Sequence, residues 1–216
     1  MRCAVLASGS GTNLQSLIDH GQRGSLRPAE LVVVGTNVPG CPALARAQAA
    51  GIDTFALSHK AFMSRDDFDR AMSVELRRRH VELVVLAGFM RVLTSVFLDA
   101  FPGRVINIHP ALLPSFPGTH AQKQALDYGV KISGCTVHFV DKGTDTGPII
   151  AQAAVAVLPD DDEDRLRARI LTEEHRLLPA VVRAMAAGHV ALEGRRVRIA
   201  APAGTADARV RSIEPV

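Results

Sequence analysis

Asn107 and His109 stand two residues apart in Val105-Ile106-Asn107-Ile108-His109, an aliphatic run that stops at Pro110. Side chains alternate along a strand, so the carboxamide and the imidazole leave the backbone on the same side, at one strand end. Pro110, Pro114 and Pro117 restrict the chain that follows, so the loop starts in a defined direction. A rigidly presented amide donor beside an imidazole can stabilise a developing oxyanion and move a proton. A lone histidine at a strand end is often only structural. Its neighbour Asn107, and the sheet edge where ligands of α/β proteins sit, favour chemistry here.

Four further groupings could serve the same site, and each has a plain structural alternative. Ser8-Gly9-Ser10-Gly11-Thr12-Asn13 runs from an apolar strand into a helical pattern, and small residues let backbone amides approach an anion at a helix N-terminus. It lacks the third glycine of a dinucleotide fingerprint and any Gly-Lys-Ser/Thr. The next strand ends in Gly35-Thr36-Asn37 where a ribose-binding acid is expected. A single phosphate monoester fits better than NAD or ATP; a capped tight turn is the alternative. Asp145, between Gly143 and Gly147, either makes an Asx-turn or reaches His109 to hold its imidazolium or take a proton through water. Glu174 falls inside the apolar arc of Leu166, Ile170, Leu177 and Leu178. A buried carboxylate needs a partner, either Arg167 on the same helix or a ligand's ammonium group. Finally, Leu86-Ala87-Gly88-Phe89-Met90-Arg91-Val92-Leu93 is either core or a wall for a flat heteroaromatic ligand bearing carboxylates.

Positioning these groups requires a sheet. Aliphatic runs at 2–7, 31–36, 53–57, 83–87 and 104–108 alternate with amphipathic helical patterns, which predicts a single-domain α/β fold: a Rossmann-like, mostly parallel twisted sheet with helices on both faces. Ser64, followed at the third residue by Asp67, starts a helix over about 65–79 that presents Phe68, Met72 and Leu76 on one face. Runs at 133–140 and 148–157, joined by a Gly-rich loop, predict a hairpin-like pair, so the C-terminal strands are partly antiparallel. The acidic run Asp160–Asp164 opens a long helix whose first part Pro179 is expected to kink or end. A domain over 1–190 is followed by a tail, 191–216, with one edge strand near 195–200 and a poorly ordered last dozen residues.

With 216 residues and 47% apolar content the chain can bury a full core. A net charge of +3 with scattered arginines and 4% aromatic residues favours small anions over nucleic acid. Cys3, Cys41 and Cys135 are too far apart and odd in number for a disulfide framework or a zinc site. No apolar run has the length of a signal peptide or a membrane span, so a cytoplasmic protein is expected.

Assembled, these residues resemble the phosphoribosylglycinamide formyltransferases, the folate-dependent enzymes of purine biosynthesis, from residue 1 to about 190. The carriers are Ser8–Gln15, Leu86–Arg91, Asn107-Ile108-His109-Pro110, Leu112-Leu113-Pro114, Val137–Val140 and Asp145-Thr146-Gly147-Pro148. The Asn-Ile-His-Pro and Leu-Leu-Pro elements are shared with methionyl-tRNA formyltransferase and formyltetrahydrofolate deformylase; the glycine-rich loop, and a length without room for their extra domains, separate this chain from both. The resemblance implies that Asn107, His109 and Asp145 are catalytic, with His109 held cationic by Asp145. It implies that Gly11, Thr12, Asn13 and Glu174 bind 5-phosphoribosylglycinamide, phosphate at one end and ammonium at the other. Arg65, Phe89, Met90, Arg91, Val92, Leu93, Leu98, Asn107 and Val140 would bind 10-formyltetrahydrofolate as co-substrate, with no metal. Thr12 stands where serine is common, and Asp141-Lys142-Gly143-Thr144 is less acidic than other versions of that loop. The partners implied are small molecules, neither nucleic acid nor membrane; a homodimer stays open. A hydrolase using water in place of the amine, a non-catalytic phosphometabolite-binding domain and an NAD enzyme are the rival readings.

Overall fold

The structure is a computed structural model that describes residues 1–200; the tail's final residues, including the last dozen, lie outside the described residues. Short aliphatic runs become the strands β1 (Arg2–Leu6), β2 (Glu30–Thr36), β3 (Asp53–Ala56), β4 (Leu83–Leu86) and β5 (Val105–His109). They join β6 (Ile132–Phe139) and β7 (Ile149–Ala156) in one seven-stranded sheet of order β3-β2-β1-β4-β5-β6-β7. The pairs from β3 to β5 are parallel, whereas β5–β6 and β6–β7 are antiparallel. The fold is thus a single-domain α/β fold with a mostly parallel sheet and a partly antiparallel edge, as the alternation of strands and helices predicts.

Helices α1 (Thr12–Gln22), α2 (Pro42–Ala49), α3 (Arg65–Arg78), α4 (Ser95–Leu98), α5 (Ala121–Tyr128) and α6 (Glu163–Ala186) cover both faces. Alternation on β1 shows the division: Cys3 and Val5 pack with Leu14, Leu17, Ile170 and Leu178. Ala4 and Leu6 pack with Phe68, Met72, Leu76 and Phe97 on the other face. Ser64 caps α3, its hydroxyl accepting the Asp67 N–H at 3.1 Å.

Adjacent β1 and β4 send their next helices to opposite faces, so the loops that follow them separate and leave a cleft, the topological switch point of an open α/β sheet.

Two expectations are narrowed. Pro179 does not end α6, which runs unbroken through it to Ala186. Proline removes the N–H that would bond the carbonyl of residue 175, and the Ser16 hydroxyl of α1 donates to that His175 carbonyl at 2.7 Å instead. The strand expected at 195–200 is present as β9 (Arg196–Ile199), but it pairs antiparallel with β8 (Val190–Glu193) in a separate two-stranded sheet. Gly194, with φ of 61°, makes the turn between them.

Candidate active site

β5 lies between β4 and β6, which places Asn107 directly opposite His138 in the antiparallel register. His109, 4% exposed, ends the strand. Its Nε2–H donates to the Phe116 carbonyl at 2.8 Å. Phe116, with φ of 55°, turns the proline-rich loop back over the ring. His109 Nδ1 lies 3.3 Å from Asp145 Oδ2. The proximity left open by the sequence is therefore present.

Asp145 sits between β6 and β7 with φ of 55°, a left-handed conformation that costs a non-glycine residue energy and persists only where its surroundings enforce it. Those surroundings are specific. The Gly118 N–H donates to Asp145 Oδ2 at 2.8 Å. Asp141 Oδ1 accepts from the Gly143 N–H at 3.0 Å and from the Thr146 hydroxyl at 2.6 Å. Asp141, not Asp145, thus makes the Asx-turn, which leaves the Asp145 carboxylate free to face the histidines. Only glycine fits at 147, where a Cβ would stand 1.8 Å from the Phe139 carbonyl oxygen.

His138 was not among the candidate residues, yet it completes the cluster. With Nδ1–H donated to the Phe139 carbonyl at 2.8 Å, its Nε2 accepts from Asn107 Nδ2 at 3.2 Å and lies 3.6 Å from Asp145 Oδ1. One amide hydrogen of Asn107 is committed to this contact, which fixes the carboxamide's orientation. The other points toward Asp145 Oδ1 at 3.5 Å, too far to be a strong bond, and is available to a ligand oxygen. The available signal was a polar residue in an apolar strand, in register with Asn107.

Burial pulls the His109 pKa below its ordinary value. The Asp145 carboxylate and the Phe116 carbonyl oppose it, and His138 adds to the lowering. The ion-pair geometry expected of Asp145 and His109 is present, and desolvation of the ring opposes the charge that Asp145 favours. Burial would raise the Asp145 carboxyl, but a proton on His138 or His109 and the Gly118 N–H hold it below its ordinary value. Burial thus favours the uncharged imidazole, while the contacts to Asp145 favour its carboxylate.

On one side of this cluster stands the glycine-rich loop. Gly11, with φ of 71°, precedes α1, and a Cβ there would meet the Ala43 backbone at 2.9 Å. The first N–H groups of α1 have no acceptor within the helix, which suits an anion. Arg46 secures the loop, donating from Nε to the Ser10 carbonyl at 2.7 Å. Asn13 Nδ2 donates to Glu174 Oε2 at 2.7 Å across from α6. Burial raises the Glu174 pKa against that bond. Arg167 pairs with Asp164, so the alternative partner for Glu174 is spoken for elsewhere. Asn13 Oδ1 is buried without a hydrogen-bond partner.

The opposite side is apolar. Phe89 and Leu93 are buried, whereas Met90 and Val92 are 67% and 46% exposed. Arg91 stacks over the Phe68 ring at 4.8 Å. Arg65 donates to the Val92 carbonyl at 2.6 Å and lines an adjoining groove with Lys142. Leu98, partly buried, packs against the core on the α3 side and does not line the cavity. Ser8, at the start of the glycine-rich loop, accepts the Met90 N–H at 2.8 Å and donates to buried Asn37 at 2.6 Å, tying the two sides together.

A cavity of about 690 Å³ joins all three regions. Thr12, Asn13 and Glu174 line one end, Phe89–Leu93 and Val140 the other, and Asn107, His109, His138 and Asp145 the middle. Among the described residues no group of three metal-ligating side chains occurs, and no helix is long and apolar enough to cross a membrane.

Residues 1–182 match the model of the Formyl transferase family. Phosphoribosylglycinamide formyltransferase of Mycobacterium tuberculosis is 48% identical over 194 residues, covering 90% of this chain and 89% of that protein. The trifunctional purine biosynthetic protein adenosine-3 of Drosophila melanogaster is 54% identical over 180 residues, but the chain spans only 13% of that protein's length. Among solved structures, glycinamide ribonucleotide transformylase 1 from Symbiobacterium toebii superposes with a TM-score of 0.91 at 50% identity, over 93% of this chain and 94% of that one. The chain therefore belongs to the formyl transferase family and, within it, to the phosphoribosylglycinamide formyltransferases.

Proposed function

We propose that the protein transfers the formyl group of 10-formyltetrahydrofolate to the amine of 5-phosphoribosylglycinamide by direct attack, with Asn107, His109 and Asp145 as the catalytic set. The observation that carries this reading is the single cavity in which an anion-binding loop and a buried carboxylate face an apolar wall across one cluster of amide, imidazole and carboxylate.

The phosphate sits on the Gly11–Asn13 turn, and the glycinamide end of the acceptor meets Glu174. Unpartnered Asn13 Oδ1 supplies a second acceptor for its amine hydrogens. The pterin lies along Phe89–Leu93 and Val140, and its carboxylate-bearing tail runs toward Arg65.

The neutral amine adds to the formyl carbon, and the free Asn107 N–H donates to the oxyanion. The amine's excess proton passes, directly or through one water, to neutral His109. Asp145 stabilises the imidazolium so formed, and the Phe116 carbonyl holds the ring's orientation. The same proton returns to the departing nitrogen as the carbon–nitrogen bond breaks, giving formylated acceptor and tetrahydrofolate. Burial favours the uncharged form of His109, the form able to accept this proton, and Asp145 offsets the cost of charging it. His138 holds Asn107 through the reaction.

Purified protein mixed with both substrates, with the folate product followed by absorbance, tests the reading. Product should form only when the ribonucleotide is present. Formate release without it identifies a hydrolase and overturns the assignment.

A further inference from the structure

Arg195 lies in the turn between β8 and β9, beyond the 1–182 span that matches the family model. Its guanidinium reaches back across the fold and donates to the Thr146 carbonyl at 2.9 Å. Thr146 directly follows Asp145. Among the described residues, Arg195 is the one side chain from outside the site that bonds this loop.

The loop needs such a fastener. Asp145 stands in the left-handed region, and the Asp141 contacts to Gly143 and Thr146 are internal, so they shape the loop without anchoring it to the body. The Gly118 N–H holds the carboxylate, but Gly118 itself lies in the proline-rich loop. The β8–β9 turn is tight, closed by Gly194 and by ladder pairing from Val190 to Ile199. It presents Arg195 from a two-stranded unit instead of from another loop.

We infer that Arg195 is a positioning residue: the C-terminal hairpin pins the backbone beside Asp145 and so keeps the carboxylate against His109. The catalytic part of this inference rests on the function proposed above; its structural part stands apart from it. Arg195 touches no reacting atom, so its loss acts on turnover through Asp145.

Two measurements test it on the full chain. First, hydrogen exchange of the peptide spanning residues 140–150 should be faster in Arg195→Ala than in the parent, with exchange elsewhere unchanged. Second, kcat should fall about 3- to 10-fold, the loss of one ordinary hydrogen bond, while both KM values and Tm stay near the parent's. Arg195→Lys should recover part of the loss. In an Asp145→Asn background the same substitution should have no further effect on kcat, which a general structural role would not predict.

Unchanged exchange in the 140–150 peptide overturns the inference whether or not the protein proves to be a formyltransferase. If the parent is active, an Arg195→Ala effect that persists undiminished in the Asp145→Asn background overturns it too. An inactive parent would overturn the functional reading alone, and the exchange result would still decide the anchoring.

Discussion

The end of β5 and the loop between β6 and β7 both carry residues of the candidate catalytic set, but they are held in different ways. Asn107 and His109 belong to a regular strand with hydrogen-bonded neighbours on both sides. Their placement follows from alternation and ladder register, so a side chain there can change while the backbone stays put. Asp145 has no ladder. Its left-handed backbone, the Asp141 turn, the Gly147 approach to Phe139 and the Gly118 N–H each contribute a constraint. Chemistry and structure are separable at the strand end and entangled in the loop.

The sharpest test of this difference is Asn107→Ala, which should lower kcat about 10²–10³-fold, the effect of losing one oxyanion donor, with little change in the urea midpoint. An equal loss of stability would show that the strand end is not separable. Gly147→Ala should do the reverse mixture: the added Cβ meets a carbonyl oxygen, so urea titration should show a loss of about 1–3 kcal/mol, typical of overpacking, together with a fall in kcat. Smaller again is Thr146→Val, which deletes the hydroxyl bound to Asp141. It should cost about 1 kcal/mol, the net value of one hydrogen bond, and its kcat loss should be partly recovered by Thr146→Ser.

The smallest effect concerns pH. The folded pKa of His109 lies below that of an unfolded histidine, about 6.5, so the unfolded chain binds more protons just below that pH. Stability therefore falls as pH drops from about 6.5 toward the folded value, by at most about 1.4 kcal/mol per pH unit for one group. His175, also lowered by burial, adds in the same window. Asp145, lowered in the fold, loses its contribution only in stronger acid, as pH falls from the ordinary aspartate value through its folded one. His109→Gln should flatten, but not abolish, the difference in urea midpoint between pH 5 and pH 7. An unaltered slope would place the titration elsewhere.

Legibility in the sequence follows the same division. Alternation gave the parallel strands, the Ser64 cap gave the start of α3, and the strand-end pair Asn107 and His109 was readable because strand periodicity is local. Features that depend on partners far along the chain were not. His138 required the β5–β6 register; the continuity of α6 through Pro179 required a hydroxyl from α1; the pairing of β9 required β8. Attraction of His109 to Asp145 can be guessed from residue types, whereas the desolvation that opposes it depends on everything packed around the ring. Asp145 itself was readable as a candidate, but which aspartate of its loop made the turn depended on the folded backbone.

The Ser16 bond to the His175 carbonyl has a consequence for selectivity. It joins α1 to α6 next to Glu174 and within one helical turn of Asn13. The start of α1 and the carboxylate on α6, to which the proposed function assigns the two ends of the acceptor, are therefore tied together. Under the proposed function such a pair would act as a caliper, accepting a molecule whose charged ends match the gap and leaving a shorter or longer one with an end unbound. Ser16→Ala, by loosening that caliper, should blunt discrimination by acceptor length more than it weakens binding of the acceptor that fits.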